Sequence, residues 1–222
     1  MSGETTTRDS LETAVWTFDP RTIEARLRRA VRPLDDPPTE PGWNAAELAD
    51  ILDPSATRRP AAVLVPFVRR GADLAMLFTT RTQDLRTHGG QVSFPGGGVE
   101  PDDADTIAAA VRETHEETGI EPRLIEPFGF LDSFETVSGY RVTPVVGFVS
   151  GDYVLAPDPK EVADVFEVPI DYVFAPGRLI KQRIEWRGRP RDIYEFDWEG
   201  RRVWGATASM LLNLVQRLEV VS

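Results

Sequence analysis

The chain contains no cysteine. Disulfides and thiol chemistry are therefore excluded, and a reducing, cytoplasmic setting is the expectation. Long apolar runs are also missing: no stretch approaches the roughly 20 residues needed to cross a bilayer, so no membrane association is expected. The first residues, MSGETTTRDSLE, are polar and partly acidic and do not read as a secretory signal. Positive charge is in deficit, with 25 Lys and Arg against 36 Asp and Glu and a net charge of -11. A general nucleic-acid binder would show a basic patch, so that class is set aside. An anionic substrate would have to be drawn in by local arginines and a metal ion, because the overall field repels it.

What is present suits a globular protein. The chain has 222 residues, 41% of them apolar, enough for one domain with an ordinary core plus an extension. No internal repeat is visible. Residues 1–60 read as that extension. Asp19-Pro20 is a good N-cap and first-turn pair, and Ile23, Leu27, Ala30 and Val31 mark a short amphipathic helix. Its basic face carries Arg21, Arg26, Arg28 and Arg29, read chiefly as a solvated surface. Residues 34–41 are a Pro- and acid-rich connector, and residues 47–52 allow one or two further helical turns.

From residue 61 the pattern becomes strand-like. Residues 61–68 and 74–80 form a plausible hairpin about the turn 70–73, and residues 91–94 suggest a short strand. Residues 123–132 and 140–150 read as strands around a loop at 135–139. Residues 170–174 read as a short helix, and 179–186, 192–198 and 201–203 as three successive β segments. Residues 206–218 form an amphipathic terminal helix. Many strands with one central and one terminal helix predict an α+β protein, a mixed sheet sandwiched between helices.

The central helix holds the strongest signal. Asp103 or Asp105 is suited to cap it, Ile107, Ala108, Ala110, Val111 and Thr114 give it an apolar or small face, and Gly119 closes it. Glu113, Glu116 and Glu117 fall at i, i+3 and i+4, on one face, where like charges cost about 0.2–0.5 kcal/mol per pair. Arg112, at i, i+4 from Glu116, is the only nearby cation on the helix. A solvated acidic face is the ordinary use of such a run. The other use is a cage of carboxylates for a hard divalent cation, with water and substrate phosphate completing the octahedron.

Gly98, then Arg112-Glu113, then Glu116-Glu117-x-Gly119-Ile120 resembles the Nudix box, G-x5-E-x7-R-E-U-x-E-E-x-G-U, where U is apolar. Two positions depart from it: Ala104, flanked by Asp103 and Asp105, stands where the first Glu is expected, and Thr114 stands at an apolar position. Upstream, residues 77–97, LFTTRTQDLRTHGGQVSFPGG, look like the signature L-L-T-x-R-S-x-x-L-R-x-H-x-G-Q-V-x-F-P-G-G of the coenzyme A pyrophosphatase branch of the Nudix hydrolases, in which an Asp near the expected box Glu is usual. Ser138-Gly139-Tyr140, Glu161-Val162, Phe166-Glu167-Val168-Pro169 and Trp204-Gly205-Ala206 extend the likeness, which covers roughly residues 60–215.

The resemblance implies an α/β/α Nudix fold over residues 61–222 and Mg²⁺- or Mn²⁺-dependent hydrolysis of a diphosphate linkage, with coenzyme A or an acyl-CoA as substrate. It implies metal binding by Glu113, Glu116, Glu117 and the Gly97 carbonyl, with Arg112 orienting Glu116. It also implies substrate contacts from Arg81, Arg86, His88 and Gln91. The general base stays open among Glu117, Glu100, Glu135 and Glu161, the last also read as a helix-capping residue. Many Nudix enzymes are dimers, so the resemblance leaves room for a homodimer. Two other readings stand beside this one: the same chemistry on ADP-ribose, NADH or a nucleoside triphosphate, and a Nudix-fold sensor that binds a nucleotide without cleaving it.

Overall fold

The computed structural model describes residues 8–10, 22–39, 41–53, 55–82, 89–186 and 188–221. In chain order its elements are β1 (Arg8–Ser10), α1 (Ile23–Ala30), α2 (Ala45–Leu48), β2 (Arg59–Arg70), β3 (Asp73–Arg81), β4 (Val92–Ser93), β5 (Gly96–Gly98), α3 (Thr106–Thr118), β6 (Ile125–Phe130), β7 (Phe134–Glu135), β8 (Tyr140–Val149), β9 (Val162–Pro169), α4 (Ile170–Val173), β10 (Ile180–Trp186), β11 (Arg189–Trp198), β12 (Arg201–Trp204) and α5 (Ala206–Val220). Among the described residues no helix is long and apolar enough to cross a membrane.

Strand β2 is apolar on both sides because both sides are covered, the usual reason for a near-continuous apolar run. Ala61, Val65 and Phe67 face one core cluster; Ala62, Leu64 and Val68 face the other. β3 alternates likewise, with Met76 and Phe78 on the first side and Leu77 on the second. β2 runs parallel to β8 and antiparallel to β3 and β5. The main sheet has the order β4-β3-β2-β8-β6, with β5 on β2, β7 on β8 and β9 on β3. It is mixed, as expected.

Helix α3 covers the second face through Ala109 and Ala110, with Ile120 just beyond its end. The small alanines let the helix lie close to the sheet. Helices α1 and α5 cover the first face through Leu27, Leu211, Leu214 and Val215. Phe78, fully buried, is the hub of that side: its ring stacks on Phe94 at 5.2 Å and Phe166 at 5.7 Å, and meets Phe196 edge-on at 6.0 Å. Burying a phenylalanine of this kind contributes about 2–3 kcal/mol.

The three β segments near the C-terminus do not extend the main sheet. β10, β11 and β12 form a separate antiparallel sheet, which β1 joins at the β10 edge. The first helix begins at Ile23, after Thr22 in the cap position, whereas Asp19-Pro20 and Arg21 lie outside the described residues. Arg28 on its basic face pairs with Glu126, and Arg26 donates to the Leu218 carbonyl at 3.1 Å. The described residues between 42 and 58 are tied down as well. Asn44 donates to the Glu135 carbonyl and accepts from its N–H, both at 2.8 Å, while Asp50 pairs with Arg189 and Arg191 of β11.

Candidate active site

Helix α3 takes its bounds from local chemistry. The Asp105 carboxylate accepts from the Ala108 N–H at 2.8 Å and caps the first turn. Gly119, at φ 78°, ends the helix in the left-handed region and returns its N–H to the His115 carbonyl. Thr114, at the position where the box expects an apolar residue, is fully buried, and its hydroxyl donates to the Ala110 carbonyl at 2.7 Å. That bond within the helix lets the hydroxyl sit in an apolar layer.

The same helix brings Arg112, Glu113, Glu116 and Glu117 together beneath β5. One nitrogen of Arg112, Nη1, donates to Glu113 Oε1 and to Glu116 Oε2, each at 2.9 Å. The opposite edge of the guanidinium is held by Asp103: Nε donates to Oδ1 at 3.0 Å and Nη2 to Oδ2 at 2.9 Å. Nη2 also reaches the Gly98 carbonyl at 3.1 Å. Arg112 therefore contacts Glu113 as well as Glu116, while Asp103, the residue before Ala104, holds its other edge. Hydrogen bonds from Arg112 hold the Asp103 carboxyl below its ordinary range.

Gly97 is a glycine for a visible reason. A Cβ there would stand 2.6 Å from the carboxyl atoms of Glu113, so only hydrogen allows that carboxylate to lie against β5. Burial raises the Glu113 carboxyl above its ordinary value, and Arg112 opposes the shift. Glu117 is more deeply placed, with its side chain 3% exposed. It accepts from the Gly96 N–H at 3.2 Å and stands 3.6 Å from Arg81 Nη1. Burial pushes its carboxyl up to about 7 against the pull of these two partners.

The donor set is all oxygen, on a rigid helix and a neighbouring strand, which suits a hard divalent cation. Among the described residues no three acid or imidazole groups converge closely enough to hold an ion as they stand. The reason lies in their present partners: Glu113 and Glu116 turn to Arg112, and Glu117 turns to Gly96 and Arg81. Rotation of these side chains is needed before they could share one ion.

Other residues singled out from the sequence fare differently. Arg81, on β3, faces Glu117. The Gln91 carbonyl accepts from the Arg81 N–H at 3.0 Å, so Gln91 sits beside it. Arg86 and His88 lie outside the described residues. Glu135 belongs to β7 and not to a loop; its buried carboxylate is engaged by Arg58 Nε at 3.2 Å, with the Gly42 N–H also turned to it at 3.5 Å. Glu161 caps no helix, because the apolar residues after it form β9. Its charge raises the proton affinity of both Glu113 and Glu117, and its backbone is anchored by Thr82, whose N–H donates to the Glu161 carbonyl at 2.9 Å. Glu100 lies on the loop between β5 and α3, where its N–H donates to Asp103. Asp103 was legible only as a possible cap; the sequence signal for its other role was its place beside a departure from the box.

Comparison with known proteins identifies the family. A model of the NUDIX domain matches residues 57–187. The chain is 40% identical over 161 residues to "Uncharacterized Nudix hydrolase NudL" of Enterobacter sp. (strain 638), covering 72% of this chain and 83% of that protein. It is 42% identical over 163 residues to the protein of the same name from Citrobacter koseri, covering 73% and 84%. A solved MutT/nudix family protein from Enterococcus faecalis is similar with a TM-score of 0.48 and 18% identity, over 80% of this chain and 73% of that one. The family model and the two relatives define the class: a hydrolase of diphosphate linkages, and therefore an enzyme. The chain belongs to the Nudix family. Nudix hydrolases generally use divalent metal ions.

Proposed function

We propose that the protein hydrolyses the diphosphate of coenzyme A or an acyl-CoA, giving 3′,5′-ADP and 4′-phosphopantetheine or its acyl form. Water adds its oxygen to one phosphorus, and the bridging oxygen leaves with the other. Mg²⁺ or Mn²⁺ is the cofactor, and Glu113, Glu116, Glu117 and the Gly97 carbonyl would hold it. When bound, such an ion neutralises phosphate charge and lowers the pKa of water.

The chain's own residues supply the rest. Arg112 sets the directions from which Glu113 and Glu116 approach. In this reading the proton of the attacking water goes to a carboxylate near the cluster, Glu117 or Glu161. Arg81, Arg86, His88 and Gln91 take the phosphates of the substrate, with Arg forks suited to the extra 3′-phosphate of coenzyme A. A cytoplasmic setting and a homodimer complete the reading. The observation that carries the proposal is the Arg112-centred carboxylate cluster under Gly97, set directly after the stretch 77–97.

The test is incubation of purified protein with coenzyme A and Mn²⁺ or Mg²⁺, with product masses read in parallel for ADP-ribose, NADH and dGTP. 3′,5′-ADP and phosphopantetheine, abolished by EDTA, are the expected products. Intact coenzyme A beside cleavage of another diphosphate would reassign the substrate.

A further inference from the structure

We infer that Lys160 is a specificity residue of the site: its ammonium takes the 3′-phosphate of coenzyme A, the substrate phosphate outside the linkage that is cut. The inference deepens the coenzyme A reading above and rests on it. An exposed lysine is ordinary. This one stands apart by its mount, its place and its lack of an acid partner.

The mount is rigid and follows from Pro157-Asp158-Pro159. Pro159 fixes its own φ. The Asp158 carboxylate accepts from the Lys160 N–H at 2.9 Å, the side-chain turn that aspartate favours. The Asp158 carbonyl accepts from the N–H groups of Glu161 and Val162 at 3.0 and 2.9 Å. Thr82 then staples this turn to the end of β3: its hydroxyl donates to the Lys160 carbonyl at 3.0 Å, and its N–H to the Glu161 carbonyl. The backbone of Lys160 is thus held through both its N–H and its carbonyl, while its side chain is exposed.

The place is the mouth of the acidic cluster. Thr82 directly follows Arg81, which stands 3.6 Å from Glu117, and Glu161, the residue after Lys160, is felt at Glu113 and Glu117. Among the described residues the Lys160 ammonium nevertheless pairs with no acid. The chain has only two lysines, and the other, Lys181, meets Asp192 at 2.7 Å. In a protein of net charge -11, an unpaired ammonium beside the site supplies the local attraction that an anionic substrate needs. The diphosphate belongs over Glu113, Glu116 and Glu117. A cation on the neighbouring turn is left for the remaining phosphate, a monoester carrying about -1.5 to -2 charges at neutral pH. A compact ammonium on a flexible stem suits that group, which needs a point charge and no fixed fork.

The experiment measures kcat and KM with Mn²⁺ for coenzyme A and for 3′-dephospho-coenzyme A. It compares wild type, Lys160→Ala, Lys160→Arg and, as a control, Lys181→Ala. Loss of one partly exposed charge pair predicts a rise of about 3–10-fold in KM for coenzyme A in Lys160→Ala, with kcat within about twofold of wild type. On 3′-dephospho-coenzyme A the same two proteins should agree within about twofold. Lys160→Arg should keep most of the wild-type KM, and Lys181→Ala all of it. Melting curves report folding separately, and Lys160→Ala should melt with wild type. An unchanged KM for coenzyme A in Lys160→Ala overturns the inference. An equal rise on both substrates does so as well, since Lys160 would then attract anions in general, and a fall in kcat alone would overturn it by placing Lys160 in the chemistry. Wild-type protein that leaves coenzyme A intact would instead overturn the substrate reading itself, before any variant is compared.

Discussion

The acidic cluster stores instability in the metal-free protein, and Glu117→Gln should release it. The Glu117 carboxyl moves from an ordinary 4.5 to about 7 on folding, because burial disfavours its charge more than Arg81 and Gly96 favour it. Each tenfold change in proton affinity is worth about 1.4 kcal/mol, so the ionised group opposes folding by roughly 3 kcal/mol. Between pH 4.5 and about 7 the folded state binds more protons than the unfolded state. This group's contribution to stability is therefore best below that window, declines as pH rises through it, and levels off above. Glutamine keeps an oxygen for the Gly96 N–H and carries no charge. In EDTA at pH 8, Glu117→Gln should melt roughly 6–12 °C above wild type, for a chain of this size. The two should converge near pH 5. Mn²⁺ should raise the melting temperature of wild type more than that of the variant, by preferential binding to the folded state. Turnover should fall by orders of magnitude. Calorimetric scans across pH 5–8 with and without EDTA read the melting shifts, and product formation with Mn²⁺ present reads turnover. A variant no more stable than wild type at pH 8 in EDTA would refute the burial argument, and near-wild-type turnover would remove Glu117 from the chemistry.

Gly97→Ala should push the Glu113 carboxylate off β5, since the added methyl would stand 2.6 Å from it. Because a flexible carboxyl can turn aside, the stability cost should stay near the low end of the roughly 1–3 kcal/mol typical of overpacking, while Mn²⁺ affinity by calorimetry falls. Arg217→Ala removes hydrogen bonds of 2.7 and 3.2 Å to the half-buried Asp132, and one of 3.1 Å to the Ala30 carbonyl, that join α5 to α1 and the end of β6. A loss of about 1.5–3 kcal/mol is expected in urea unfolding, and an unchanged midpoint would show that this tie adds nothing.

Much of the fold was legible because it is written in neighbouring residues. Asp105, Gly119 and the apolar spacing of α3 depend on contacts three or four residues apart. The β2–β3 hairpin likewise follows from two apolar runs around Gly71. The glutamate triplet was equally plain, since a helix of known phase places i, i+3 and i+4 together. Residues far apart in the chain were harder. Glu135 and Glu161 look alike in sequence. One is buried against Arg58, 77 residues away, and the other stands close enough to Glu113 and Glu117 to be felt at both.

The sequence by itself determined the family, the limits of the central helix and the set of carboxylates on its face, because a periodic helix and a spaced motif are local properties. Only the tertiary structure decided that the C-terminal strands form a second sheet, that Arg112 is gripped by Asp103 from the other side, and that Glu117 lies deep enough to hold its proton near neutral pH. Those outcomes depend on which distant surfaces exclude water from which groups, and desolvation is a property of the packed whole.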